Sequence, residues 1–324
     1  MNVRRRLISA TAVTAAAALG LGALSACSSD SAATGNTDKF DVVASFYPMA
    51  FLAEQIGGDH ANVTSLTEPG QEPHDLEIST KQRAQLEEAD AALFLKGLQP
   101  AVDEAVSQTG IKTKIDAAGL TTLEDHGSTE HDHEGEEGHA EEKGHAEEEE
   151  HARDPHIWLD PVKYAEVAEG VGKAFEKADP DHAADYKKNT AALVEKLNGL
   201  DGEFESGLKN TKTKVFFTNH AAFGYLAERY GLTQEAISGL DPESEPSAAR
   251  VKELQQEAKA DGVTTVFYET LVSDKTAKTL ARDAKLKTDV LDPLEGITDK
   301  SRGDDYFQVM EANLKALRAA LGAK

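Results

Sequence analysis

Three histidines stand in short loops that look built to present an imidazole: Glu72-Pro73-His74-Asp75, Asp154-Pro155-His156-Ile157-Trp158-Leu159-Asp160-Pro161 and Thr218-Asn219-His220-Ala221-Ala222-Phe223. Neutral imidazole suits Zn2+, and three nitrogens with one oxygen or water complete a tetrahedral site. Pro155 and Pro161 fix φ on either side of His156 and limit how that loop can move. Asp292 follows the apolar Val290-Leu291 and precedes Pro293, which makes it the candidate fourth donor. Three imidazoles and one carboxylate favour Zn2+ over Mn2+, which prefers more oxygen ligands. His60 and His182 read as surface residues, the first in Gly57-Gly58-Asp59-His60 and the second at the start of a long helix.

The elements that must hold these loops follow from periodicity. Val42 to Phe46 is an apolar run followed by a helical stretch to Gly57, and Val215 to Thr218 is followed by a helix closing at Gly231. Leu52-Ala53-Glu54 with Ile56-Gly57 matches Leu226-Ala227-Glu228 with Tyr230-Gly231, and Glu72-Pro73-His74 matches Glu245-Pro246-Ser247 at nearly the same offset. A helix follows each Glu-Pro loop, over Thr80 to Ala89 and Ala248 to Ala260. A strand then follows, Ala91 to Leu95 or Val263 to Phe267. The chain thus repeats a βαβ grammar, which predicts an α/β fold of two lobes. Tyr186, Leu193, Leu197, Leu200, Phe204 and Leu208 share one helical stripe, so one long helix joins the lobes. In open α/β lobes ligands bind beyond the carboxyl ends of strands, which puts the site in the cleft between them. The expected organisation is an N-terminal lobe over 40–180, a linking helix over 181–208 and a C-terminal lobe over 209–324.

Residues 124–151 interrupt the first lobe with thirteen acids and six of the eleven histidines: His126, His131, His133, His139, His145 and His151. Nothing larger than alanine among its apolar residues is available for burial, so a disordered, weakly metal-capturing insert is expected. At the other end, Arg4-Arg5-Arg6 and an Ala/Gly/Leu stretch read as an export signal over 1–26, closing at Leu24-Ser25-Ala26-Cys27. That tetrapeptide resembles a bacterial lipobox, in which Cys27 carries lipid at the new N-terminus. A polar, flexible tether over 27–39 follows.

The formal net charge is −24, and cleavage of the signal would remove three arginines and no acids, taking it to −27. Such a chain has nothing to neutralise phosphates, which argues against nucleic acid. With Cys27 the only cysteine, disulfides and cysteine nucleophiles are excluded. A catalytic zinc site is the rival reading of three histidines, but His-Glu-x-x-His and a serine nucleophile elbow are both missing from the sequence. A metal buffer or adhesin would rely on the insert and would not need the ordered loops.

The chain from about Lys39 to Lys324 resembles the metal-binding lipoproteins of bacterial zinc and manganese ABC importers, specifically the zinc-uptake branch. The resemblance is carried by Pro73-His74-Asp75, Asp154 to Pro161, Asn219 to Phe223 and Val290-Leu291-Asp292-Pro293. It implies two βα lobes joined by one long helix, with metal in the cleft between them. It also implies His74, His156, His220 and Asp292 as ligands, with manganese binders carrying glutamate at the third position. The function it implies is capture of Zn2+ as transported cargo. A monomer, lipid-anchored on the outer face of the cytoplasmic membrane, would deliver the ion to an ABC permease. A manganese-binding homologue is the alternative within the family, and a zinc-dependent hydrolase the alternative outside it.

Overall fold

The computed structural model describes residues 39–126 and 153–324. The export segment, Cys27, the tether up to Asp38 and the insert histidines His131, His133, His139, His145 and His151 lie outside these residues.

The first sheet is parallel, ordered β2-β1-β3-β4, from β1 (Phe40–Ala44), β2 (Ala61–Ser65), β3 (Ala91–Phe94) and β4 (Thr113–Asp116). Helices α1 (Tyr47–Gly57), α2 (Thr80–Glu88) and α3 (Pro100–Gln108) make its crossovers. After α4 (Pro161–Ala178) and α5 (Ala183–Leu208) the chain repeats the path. A second parallel sheet, ordered β6-β5-β7-β8, is built from β5 (Val215–Thr218), β6 (Thr233–Ala236), β7 (Thr265–Tyr268) and β8 (Lys287–Val290). Its crossovers are α6 (Gly224–Arg229), α7 (Ala248–Ala260) and α8 (Lys275–Ala284), and α9 (Tyr306–Leu321) closes the chain. The two βα lobes expected from the repeat are present, with the same strand order in each.

The repeat match needs one adjustment. Ser247, aligned with His74 by sequence offset, caps α7 by accepting from the Arg250 N–H, and the residue that does this for α2 is Ser79. The N-terminal lobe therefore places His74 to Ile78 as an excursion between its proline and its helix cap, where the C-terminal lobe has none.

Helix α5 buries Tyr186, Leu193, Leu197, Leu200, Phe204 and Leu208, the stripe read from the sequence, together with Thr190. At 1.5 Å per residue it is about 39 Å long, enough to run past both lobes. Gly199 and Gly202 do not interrupt it, because both face open space and only propensity argues against them. Helix α4 packs closely along it: a Cβ on Gly172 would lie 2.3 Å from Thr190 Oγ1, so only glycine allows that approach. One apolar core runs from β1 and α1 through α4 and α5 to α9, and each sheet covers a smaller core on its outer face. The site loops hang from these rigid layers. No helix among the described residues is long and apolar enough to cross a membrane.

Candidate metal centre

Four loops at the carboxyl ends of strands converge between the lobes. The β2–α2 loop carries His74, the loop before α4 carries His156, the β5–α6 loop carries His220, and the β8–α9 loop carries Glu295. One donor atom from each lies within 4.8 Å of every other. Nε2 of His74, His156 and His220 stand 3.3, 3.2 and 3.3 Å from Glu295 Oε1. Zinc bonds of about 2.0–2.1 Å directed to tetrahedral corners put donors roughly 3.3 Å apart, so these separations are those of a zinc tetrahedron's edges.

The His156 loop is built from its own short sequence. Asp154 Oδ1 accepts from the backbone N–H of His156 at 2.9 Å and from its ring Nδ1 at 2.7 Å. Ile157–Leu159 form a single 3-10 turn, and Asp160 with Pro161 starts α4, the aspartate accepting from the N–H of Val162. Trp158 is fully buried and anchors the turn: its Nε1 donates to the Pro293 carbonyl across the cleft, and its carbonyl accepts from the Tyr306 hydroxyl. His220 is held in the same manner, with Nδ1 at 2.8 Å from Glu269 Oε1, an oxygen that Asn219 Nδ2 also reaches.

These buried carboxylates decide the chemistry. A carboxylate anion only accepts, so each Nδ1 carries the proton and each Nε2 of the neutral rings turns a lone pair inward. There the lone pairs meet Glu295, itself fully buried. His220 Nε2 and Glu295 Oε2 are buried without a hydrogen-bond partner. Lone pairs facing an anion are compatible only if a cation, or added protons, stands among them. Protonation follows that logic. Burial opposes charge on His156, but Asp154 and Glu295 outweigh it and hold its pKa above the ordinary imidazole value. For His220, burial is outweighed by Glu269 and Glu295, and the value lies well above the ordinary one. Burial likewise opposes ionisation of Glu295, yet the surrounding histidines hold its pKa well below the usual carboxylate range.

The structure brings His74, His156 and His220 together, and it does not bring Asp292 to them. The Asp292 carboxylate is turned into its own loop, accepting from the Leu294 N–H at 2.9 Å and from Thr270 Oγ1 at 3.1 Å. Glu295, three residues on, stands in the place expected for it. The sequence reading also passed over Asp154 and Glu269, although Asp154 lies inside a motif it singled out. Glu72 is a further acid near the cluster; burial first, then the charge of Glu295, push its pKa up to about 9.

His126, assigned to the disordered insert, instead has fixed partners. Its Nδ1 lies 3.0 Å from Asp154 Oδ2 and its Nε2 lies 2.8 Å from Glu228 Oε2. Burial opposes its charge, but these two carboxylates outweigh it and push the pKa up to about 9. Glu124, His126 and Glu228 form a second group with donor atoms within 4.8 Å of one another.

Comparison with known proteins settles the family. The model of the zinc-uptake complex component A family, periplasmic, matches residues 42–320. The chain belongs to that family. It is 40% identical over 304 residues to the zinc-binding lipoprotein AdcA of Streptococcus pneumoniae, covering 91% of this chain and 58% of AdcA. The chain thus spans a little over half the length of that relative. With the high-affinity zinc uptake system protein ZnuA of Bacillus subtilis it shares 36% identity over 322 residues, covering 94% of this chain and 98% of the relative. The Zn(II)-bound ZnuA-like domain of the pneumococcal AdcA superposes with a TM-score of 0.71 at 36% identity, covering 87% of this chain and 99% of that one. The family is a component of an uptake complex rather than an enzyme.

Proposed function

We propose that this chain captures Zn2+ outside the cytoplasm, binds it through His74, His156, His220 and Glu295, and hands it to an ABC permease for import. One observation carries the reading: two buried carboxylates fix the tautomers of His156 and His220, so that their Nε2 lone pairs meet His74 Nε2 and Glu295 Oε1, with each nitrogen at a zinc-like 3.2 or 3.3 Å from the oxygen. A donor set of three nitrogens and one oxygen supports Zn2+ over Mn2+. The names of the relatives point the same way. Metal analysis of the purified domain, with competitive Zn2+ titration, tests it. One tight zinc per chain is expected, and tighter Mn2+ than Zn2+ binding would reject it.

The insert serves as an auxiliary, weaker store in this reading, with His126, Glu124 and Glu228 at its base and His131, His133, His139, His145 and His151 along it. Deleting Glu130 to Glu150 is expected to leave the tight phase of a calorimetric zinc titration almost unchanged and to remove weak binding. Loss of the tight phase would place a primary ligand in the insert. Cys27 anchors the mature chain through lipid at the outer face of the membrane, which mass spectrometry of the N-terminal peptide from the membrane fraction checks. The chain acts as a monomer, which light scattering with and without zinc checks.

A further inference from the structure

Asp292 is almost wholly buried, and every polar group on it is occupied. Its backbone N–H donates to Asn313 Oδ1 at 2.9 Å, and its carbonyl accepts from Asn313 Nδ2 at 2.7 Å. Of its carboxylate oxygens, Oδ1 accepts the Leu294 N–H and Oδ2 accepts the hydroxyl of Thr270. The turn that results is unusual. Leu294 has φ of 60°, in the left-handed region, and its side chain is completely buried. A branched aliphatic residue takes that backbone only where its surroundings over-determine it. The next residue is Glu295.

The other lobe shows what such an aspartate does. Asp154-Pro155-His156 and Asp292-Pro293-Leu294 are the same turn in equivalent loops, after β4 and after β8, with aspartate Oδ1 accepting the N–H two residues on. In the first turn that residue, His156, is itself a donor of the cluster. In the second the donor is one residue later, and the left-handed Leu294 supplies the extra change of direction. The Trp158 bond to the Pro293 carbonyl ties the two turns together across the cleft.

We infer that Asp292 is a positioning residue: it and Asn313 force the left-handed turn at Leu294, which aims the Glu295 carboxylate at His74, His156 and His220. Asp292 thus holds the turn that carries the carboxylate donor, as Asp154 holds the backbone turn that carries His156, and does not itself bind the ion. This rests on the zinc-binding reading above.

Asparagine separates positioning from ligation. Its Oδ1 accepts the Leu294 N–H as aspartate does, and its NH2 meets the hydroxyl of Thr270, which can rotate to accept. An amide retains the turn but is a poor zinc ligand. Zinc affinity is to be measured by competition against a chromophoric chelator, and the Co2+ ligand-field spectrum recorded, for wild type, D292N, D292A and E295Q. Positioning predicts that D292N loses no more than about threefold and keeps the wild-type Co2+ spectrum. D292A is expected to lose tenfold to a hundredfold, the range found for groups that orient a ligand, and to shift that spectrum toward that of E295Q. If D292N is as weak as E295Q, Asp292 is a ligand and the inference is overturned. If E295Q binds like wild type, Glu295 is not aimed at the ion and the inference is again overturned, while three-histidine zinc binding stands. Absence of tight zinc binding in the wild type would instead reject the proposed function. D292N remains decisive even if D292A fails to fold.

Discussion

The two lobes follow one chain path but furnish their donors from different loops. The N-terminal lobe gives His74 after β2 and His156 after β4, and the C-terminal lobe gives His220 after β5 and Glu295 after β8. Only the loops after β4 and β8 contribute in both. The loop after β6 passes from Pro246 straight into the Ser247 cap, and the counterpart of the His220 loop, after β1, presents Phe46, whose ring packs on Trp158. Each lobe therefore holds half of a tetrahedron, and neither half suffices for a structural zinc site, which takes four ligands. The halves also differ in how firmly each imidazole is held. His156 and His220 are buried against their own carboxylates. The His74 side chain is 12% exposed, and Glu295 is the acid its ring meets.

That difference predicts the largest effects. His156→Ala and His220→Ala each remove a donor and also break a buried imidazole–carboxylate pair from one side, leaving Asp154 to His126 and Glu269 to Asn219. Breaking a buried pair from one side costs about 3–5 kcal/mol. At about 2–4 °C per kcal/mol for a domain of this kind, the metal-free variants should melt at least 6 °C lower, and zinc affinity should fall by well over tenfold. His74→Ala should also lose more than about tenfold in affinity, since losing a ligand costs at least as much as losing its orienting partner. Its metal-free melting point should move by less than about 2 °C, because no dedicated carboxylate is stranded. Calorimetric melting of the three metal-free variants checks this. Equal destabilisation by all three would erase the distinction between held and free imidazoles.

A smaller effect tests the orienting acids and the direction of the pH response. Asp154→Asn and Glu269→Gln should each weaken zinc by tenfold to a hundredfold. In the wild type both acids raise the pKa of the imidazoles they face, so the metal-free protein holds protons that zinc must displace. The sign is fixed by linkage. The stabilisation from these protonated pairs is complete below the unfolded imidazole pKa of about 6.5 and is lost as pH rises through the raised folded values. Zinc affinity runs the other way, falling as pH drops through those same values. The rise in melting temperature produced by a fixed zinc excess should therefore grow from about pH 6 to about pH 8. In the Asn and Gln variants that dependence should shift toward lower pH. A pH-independent rise in the wild type would point to an oxygen-rich site.

Three of the four clustered side chains were legible because a histidine beside a proline or at a strand end needs a reason to be there. The α5 stripe was legible from period, and both βαβ units from the internal repeat. Glu295 was not, because nothing about Leu294 announces a left-handed residue; glycine or asparagine would have done so. The usable signal was the recurrence of Asp-Pro at 154–155 and 292–293. Had the first aspartate been read as the residue that orients His156, the second would have been read as orienting a donor further on. Helix α4, which packs along α5, went unremarked because only the linking stripe was traced. His126 fell inside a compositionally defined insert, and composition cannot see that Asp154 and Glu228 wait for it on two other elements.

The smallest expected effect concerns Glu72, two residues before His74. Its Oε1 accepts the His74 N–H at 2.8 Å, while Oε2 is buried without a hydrogen-bond partner. Burial, with the charge of Glu295 added, pushes its pKa up to about 9, so in the metal-free protein at neutral pH the carboxyl is protonated. A neutral acid and a neutral amide of the same shape are then nearly interchangeable, and glutamine still offers Oε1 to the His74 N–H. Glu72→Gln should change zinc affinity by no more than about threefold at pH 7, because one neutral acceptor replaces another at a net hydrogen-bond difference below about 0.7 kcal/mol. Any divergence lies on the alkaline side. Above about pH 9 the wild-type carboxyl ionises and adds attraction for a dication, which the amide cannot follow. A competition titration at pH 7 and again at pH 9.5 reads both halves of the expectation. A loss of tenfold or more at pH 7 would mean that Glu72 gives up its proton to reach the ion. The N-terminal lobe would then contribute three donors and not two, and the even division of the site between the lobes would fail.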